Sequence, residues 1–272
     1  MNKKINQALN LISDEGLTAL LKSTISYIRW RGSPSDGVQF HYKTKLRHRV
    51  QQLQYKAPAH PYKMIYVDPS EIEYYCPSIP HKSGLSQILD DHSKHFEHRL
   101  PIENHWIFRG LTERFVENKE WEATEYYGVA EKKFENNDSF WGYDSLNQFK
   151  KERLHFNELL YNSIKESGYL PNYRGKHNVP KNDKRQTQLK YRDSLEPLVG
   201  IGKCGEIYWR NGFHRFTIAR ILDVGEIPVN VLARHEQWQK TRDHVYENTY
   251  STSPENVDNH HDHPDMMDIV QI

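Results

Sequence analysis

Residues 206–222, Glu-Ile-Tyr-Trp-Arg-Asn-Gly-Phe-His-Arg-Phe-Thr-Ile-Ala-Arg-Ile-Leu, constrain the fold more tightly than any other part of the chain, together with Gly-Glu-Ile-Pro-Val-Asn-Val-Leu at 225–232. Ile207, Tyr208 and Trp209 carry the β-branched and aromatic bias of a strand. Asn211 and Gly212 follow, and both tolerate positive φ, so a tight turn is expected there. Phe216, Ile218, Ala219, Ile221 and Leu222 then supply a helical apolar face, and 227–232 reads as a second strand. His214 and Arg215 fall on the first turn of that helix, where backbone N–H groups lack intrahelical partners and the macrodipole is positive. Such a position suits a phosphate, and an arginine adds a two-pronged donor.

Gly-Phe-His-Arg at the mouth of a helix, followed by Gly-x-Ile-Pro-Val-x-Val, resembles the phosphate-binding signature of the ParB/sulfiredoxin-like superfamily. The resemblance covers residues 195–235 best. Upstream, 61–72 is similar to the family's opening strand and Asp/Pro turn, 149–168 to the helix before the second core strand, and 197–201 to that strand. It implies an α+β fold, a small mixed sheet with flanking helices, and a nucleotide ligand, ATP or CTP, with Mg²⁺. In the family's serine-kinase branch the catalytic glutamate lies in the early turn, which makes Glu71 the corresponding residue here. Two features depart from the family. Sulfiredoxins need a cysteine two positions before the motif arginine, and Phe213 stands there. Without that thiol, sulfinic acid reduction through a covalent phosphoryl intermediate is not expected. Partition proteins carry a helix-turn-helix after the nucleotide domain, whereas residues 233–272 turn polar and His/Asp-rich.

The 272 residues are enough to bury a sizeable core. Seventeen tyrosines and six tryptophans argue against disorder over most of the length. With 37 basic against 36 acidic residues there is no overall cationic excess for gripping nucleic acid, so any such contact would be local. Cys76 and Cys204 form no CxxC pair, and no apolar run reaches membrane-spanning length or reads as a secretory leader. A cytoplasmic protein with two idle thiols and no transmembrane segment is expected.

Three regions are expected: an N-terminal helical and basic extension (1–58), a ParB/sulfiredoxin-like domain (59–248) with an aromatic-rich insertion at 76–145, and a disordered polar tail (249–272). Within the extension, Leu17, Leu20, Leu21, Thr24, Ile25 and Ile28 form an apolar stripe at helical spacing, and 32–37, Gly-Ser-Pro-Ser-Asp-Gly, reads as a linker. The stripe suits either a membrane or partner surface, or packing on its own domain. The basic segments 43–56 and 176–192 suit contact with a nucleic-acid backbone, or simply a solvated helix face and a solvated loop. The insertion is expected to hold its own small core. His260, His261, Asp262, His263 and Asp265 offer metal-binding chemistry only if something holds them rigid.

Three clusters carry candidate chemistry. Asn211, Gly212, His214 and Arg215 would hold phosphates, with His214 also a candidate general acid or base. The competing reading pairs Arg215 with a neighbouring carboxylate and His214 with backbone. Arg234 and His235, just past the second strand, either reach the same phosphates or begin a helix in which Trp238 packs inward. Asp68 and Glu71, with Glu73 beside them, would deprotonate an acceptor or position Mg²⁺. Alternatively Asp68-Pro69 is only a helix cap. No Walker loop, GxGxxG, HExxH or GxSxG pattern is present. The expectation is an NTP-dependent phosphotransferase or NTPase. A non-catalytic nucleic-acid-binding or regulatory module, a ParB-like nuclease, and a scaffold docking through the N-terminal helix are the alternatives.

Overall fold

The computed structural model describes residues 36–136, 139–172, 177, 195–249 and 260–270. Its centre is strand β7 (Ile227–His235), the Ile-Pro-Val-x-Val run, in which all nine residues are buried. Strand β1 (Met64–Val67) lies antiparallel to its first half, and β3 (Gln87–Leu89) runs parallel to its second half on the same edge. On the other side β5 (Leu198–Ile201) is parallel to β7 and β6 (Ile207–Asn211) antiparallel to β5. The short strands β2 (Tyr74–Tyr75) and β4 (Leu100–Pro101) extend the sheet beyond β6. The result is a seven-stranded mixed sheet with flanking helices. The expected strand at the start of the domain and those at 197–201, 207–209 and 227–232 are all present.

The helices are α1 (Asp36–Gln54), α2 (Trp106–Phe115), α3 (Glu125–Asn136), α4 (Leu146–Gln148), α5 (His155–Ser167), α6 (Phe213–Ile221), α7 (Glu236–Thr249) and α8 (Met267–Val270). A π-helical segment, Phe149–Leu154, joins α4 to α5. Helix α6 packs between α2 and α5, burying Phe213, Phe216, Thr217, Ile218 and Ala219. Phe216 lies against Trp209 of β6 with ring centres 3.8 Å apart. Each large apolar side chain buried in this way contributes about 1.5–3 kcal/mol.

Two expectations about organisation change. The insertion has no core of its own: Ile102, Leu111, Trp121, Tyr126 and Tyr143 join Val199, Trp209, Phe216 and Val229 in one apolar cluster. It also donates β3 and β4 to the sheet. Part of the tail expected to be disordered is structured, since 260–270 packs on β7 and α7 with Asp265, Met266 and Ile269 buried.

Candidate anion site at the amino end of helix α6

Strand β6 ends at exposed Asn211, whose Oδ1 accepts from Gly212 N at 2.9 Å. Gly212 turns the chain with φ +85°. A Cβ there would lie 2.8 Å from Pro197 Cβ, so both conformation and space select glycine. The first intrahelical bond runs from Phe216 N to Gly212 O at 3.2 Å. The N–H groups of residues 213–215 therefore precede the helical ladder and carry the positive end of the dipole. The turn is rooted by Phe213, which stacks on His105 with ring centres 3.6 Å apart and meets Tyr75 edge-on at 5.6 Å. Burial lowers the His105 pKa to about 4, so its imidazole is neutral, and Nδ1 accepts from Ile107 N.

His214 faces the helical layer. Its Nε2 lies 2.8 Å from Tyr126 Oη, which accepts from Arg153 Nε at 3.1 Å. The Tyr126 hydroxyl thus links the Arg153 guanidinium to the His214 imidazole. Arg153 sits in the π-helical segment, a distortion that recurs at functional sites, and is only 7% exposed. Its guanidinium carbon lies 5.3 Å from the Trp141 ring centre and 5.1 Å from that of Phe156. Among the described residues its one hydrogen bond is to Tyr126 and no carboxylate pairs with it. No other described group takes its outer guanidinium nitrogens, which leaves them for solvent or an anion.

Trp141 is held there under strain. Phe140 and Tyr143 exchange both backbone bonds at 3.0 Å, closing a two-residue turn in which Trp141 has φ +52° and Gly142 φ +81°. A left-handed conformation at a bulky residue costs about 1–2 kcal/mol. Packing holds it, with Trp141 stacked on Phe140 at 4.8 Å and tilted against Trp106 at 5.3 Å.

Arg215, the residue expected to grip phosphate, is turned inward. Its Nη1 donates to Glu196 Oε2 at 3.0 Å and Asn172 Oδ1 at 3.2 Å, and its Nη2 to Leu195 O at 3.3 Å. Glu196 is buried and also accepts from Tyr169 Oη and Asn172 N. Burial pushes the Tyr169 hydroxyl well up, and lowers the neighbouring His177, which the Arg215 charge lowers further. The carboxylate-paired alternative is thus the arrangement seen.

The other expected residues do not meet at this turn. Register explains Arg234 and His235: Asn211 lies level with Leu198, itself level with Asn230, whereas Arg234 lies level with Ile201. At about 3.3 Å per residue that is roughly 13 Å along the sheet, so Arg234 and His235 occupy its opposite end. Arg234 is buried and bidentate to Asp265, at 2.8 and 2.6 Å, and His235 Nε2 lies 2.7 Å from Asp91 Oδ1. Neither reaches the amino end of α6. Trp238 is fully buried, as the helix alternative required.

Asp68 caps the 3₁₀ turn Pro69–Glu71, accepting from Ser70 N at 2.7 Å. That turn sits at the far end of α6, where Arg220 Nη1 donates to Ile72 O at 2.7 Å. Asp68 and Glu71 instead line a groove of about 730 Å³ with Lys63, Glu226 and His263. Arg220, which holds that turn, stands six residues along α6 from His214, about 9 Å of helix axis.

Among the described residues no group of three or more His, Cys, Asp or Glu side chains converges to hold a metal ion. None of their helices is long and apolar enough to cross a membrane. Of the basic segment 43–56, Lys43, Lys45, Arg49 and Lys56 are exposed, but Arg47 is tied to Ser83 O and Leu85 O. Apart from His177, the segment 176–192 lies outside the described residues. Arg153, Tyr126, Trp141 and His105 were not legible as site residues. Arg153 closes the charged run Lys150–Arg153, which reads as a solvated face. Comparison with protein families, curated proteins and solved structures finds no match for this chain.

Proposed function

We propose that the protein binds a nucleotide, ATP or CTP, with a phosphate seated at the amino end of α6 and gripped by Arg153 from the side. The observation that carries the reading is the buried Arg153 guanidinium, without a carboxylate among the described residues, joined through Tyr126 to the first turn of α6. A phosphate there meets the positive helix end, the Asn211–Gly212 turn and a guanidinium fork together. In this reading the fold is of ParB/sulfiredoxin-like type, for which the strand–turn–helix–strand order of β6, α6 and β7 is the support. The proposal is for binding. Phosphoryl transfer with Asp68 or Glu71 as base is not part of it, because both lie at the other end of α6. Of the expected catalytic set only His214 stands at the turn, and Mg²⁺ enters as the nucleotide's own counter-ion.

The test is a thermal-shift panel of ATP, CTP, GTP and inorganic tripolyphosphate, each with and without Mg²⁺, on the wild type and Arg153→Gln. A ligand at a hundredfold excess over Kd stabilises the fold by about 2.7 kcal/mol. One nucleotide is expected to raise the melting temperature of the wild type and not that of Arg153→Gln. No shift with any nucleotide overturns the reading.

A further inference from the structure

Five large apolar side chains stand out of α1 into solvent: Val38, Tyr42, Leu46, Val50 and Leu53, from 44% exposed at Val50 to 89% at Leu53. The inward face is held by Phe40, Thr44 and Gln51, all buried, so the apolar stripe is the outer one. Beside it lies a groove of about 420 Å³ lined by Leu46, Val50, Tyr55 and Ile88. Ile88 belongs to β3, so the groove runs between the helix and the β3 edge. A stripe of this size on a monomer marks an interaction surface.

We infer that this face is covered by residues 17–28 of the same chain, docked antiparallel to α1 as a helical hairpin. The support is a matching of two sequence patterns. Leu17, Leu20, Thr24 and Ile28 are spaced by three, four and four residues; Leu53, Val50, Leu46 and Tyr42 repeat that spacing in reverse. Mirroring the chain about Ser35 sets Leu17 opposite Leu53, Leu20 opposite Val50, Thr24 opposite Leu46 and Ile28 opposite Tyr42. The mirror point falls inside 32–37, the Gly/Ser/Pro/Asp segment that enters α1, and short connections of this kind join antiparallel helices. The same mirror sets Asp14 opposite Lys56. A tether this short gives the segment an effective concentration in the millimolar range, ahead of any free partner. A second copy fits less well, because an α1-to-α1 contact would set exposed Lys43, Lys45 and Arg49 against their own images.

Disulfide trapping in the full chain tests this, with Cys204→Ser removing the exposed native thiol. Two in-register pairs, Leu20→Cys with Val50→Cys and Leu17→Cys with Leu53→Cys, are compared with an off-register pair, Leu20→Cys with Val38→Cys. All five positions are apolar and outside the anion site. The expected result is rapid oxidation to an intramolecular cross-link in both in-register pairs and at least tenfold slower cross-linking in the off-register pair. Covalent dimers in place of the internal cross-link overturn the inference in favour of a second copy. Equal rates in all three variants, or no cross-link, overturn it outright.

Discussion

Arg234 and Asp265, thirty-one residues apart, meet in a bidentate ion pair in which both side chains are almost wholly withdrawn from water. Asp265 is the hub of the C-terminal segment. It also accepts from Trp238 Nε1 at 3.0 Å and stands 3.5 Å from fully buried Arg242, which in turn holds Asp268. Asp265→Asn leaves two buried guanidiniums short of negative charge, and removing one partner of such a pair costs about 3–5 kcal/mol. Denaturant unfolding is expected to show a loss of that size. Replacing Arg234, Arg242 and Asp265 together by apolar residues of similar volume is expected to lose much less. An Asp265→Asn protein as stable as the wild type would show that 260–270 is not part of the folded unit.

Acid stability is expected to fall in two separate ranges, led by His105 and Asp265. His105 titrates near pH 4 in the folded protein because of burial, against about 6.5 when unfolded. Between those values the unfolded chain binds the extra proton, so stability present above pH 6.5 is lost as pH falls toward 4, by about 3 kcal/mol at most. Burial alone would raise the Asp265 carboxyl, but the Arg234 and Arg242 charges outweigh it and hold it well below the usual carboxylate range. Its contribution is present above about pH 4 and is lost only below that. Stability measured from pH 8 to 3 is expected to decline in these two stages. His105→Asn, which keeps a capping side chain at the start of α2, is expected to reduce the first stage, to which His48, His177 and His263, also lowered by burial, contribute, and to leave the second unchanged.

Arg153 and Arg215 separate a binding role from a structural one. Arg215→Ala strands buried Glu196 and is expected to cost about 3 kcal/mol or more, seen as a lower denaturant midpoint. Arg153→Gln removes a buried charge that no described carboxylate neutralises. It is therefore expected to leave the ligand-free protein as stable as the wild type or slightly more so, while abolishing the nucleotide shift. Both variants losing stability equally would mean that Arg153 is a packing residue.

What was legible in the sequence follows from range. The β6 strand, the Gly212 turn, α6 and β7 are encoded by neighbours a few residues apart, and they appear as expected. The Arg215 pairing, the Arg234–Asp265 clasp and the depth of Arg153 depend on contacts across tens of residues, which local pattern does not carry. A charged run such as Lys150–Arg153 looks solvated, yet its last member shares the buried face of Phe149. Helix α1 inverts the usual pattern, with Thr44, Arg47 and Gln51 turned toward the protein and Leu46 and Leu53 turned away, so periodicity alone gives the helix but not its orientation. The two-residue strands β2 and β4 are too short to leave a period at all.

Gly212→Ala isolates the turn itself. The alanine would have to hold φ near +85° with its Cβ 2.8 Å from Pro197 Cβ, where the proline ring is fixed by β5 following it. Left-handed backbone at alanine costs about 1–2 kcal/mol, and relieving the contact must shift either the Pro197 loop or the start of α6. Moving the α6 start displaces the N–H groups of residues 213–215 and the His214–Tyr126 bond with them. The expected outcome is a stability loss of about 2 kcal/mol together with at least tenfold weaker nucleotide binding. Asn211→Ala, which removes only the Oδ1 bond to Gly212 N, is expected to weaken binding with a smaller stability loss. Calorimetric titration beside denaturant unfolding reads both quantities. Undiminished binding in Gly212→Ala would place the ligand somewhere other than the amino end of α6.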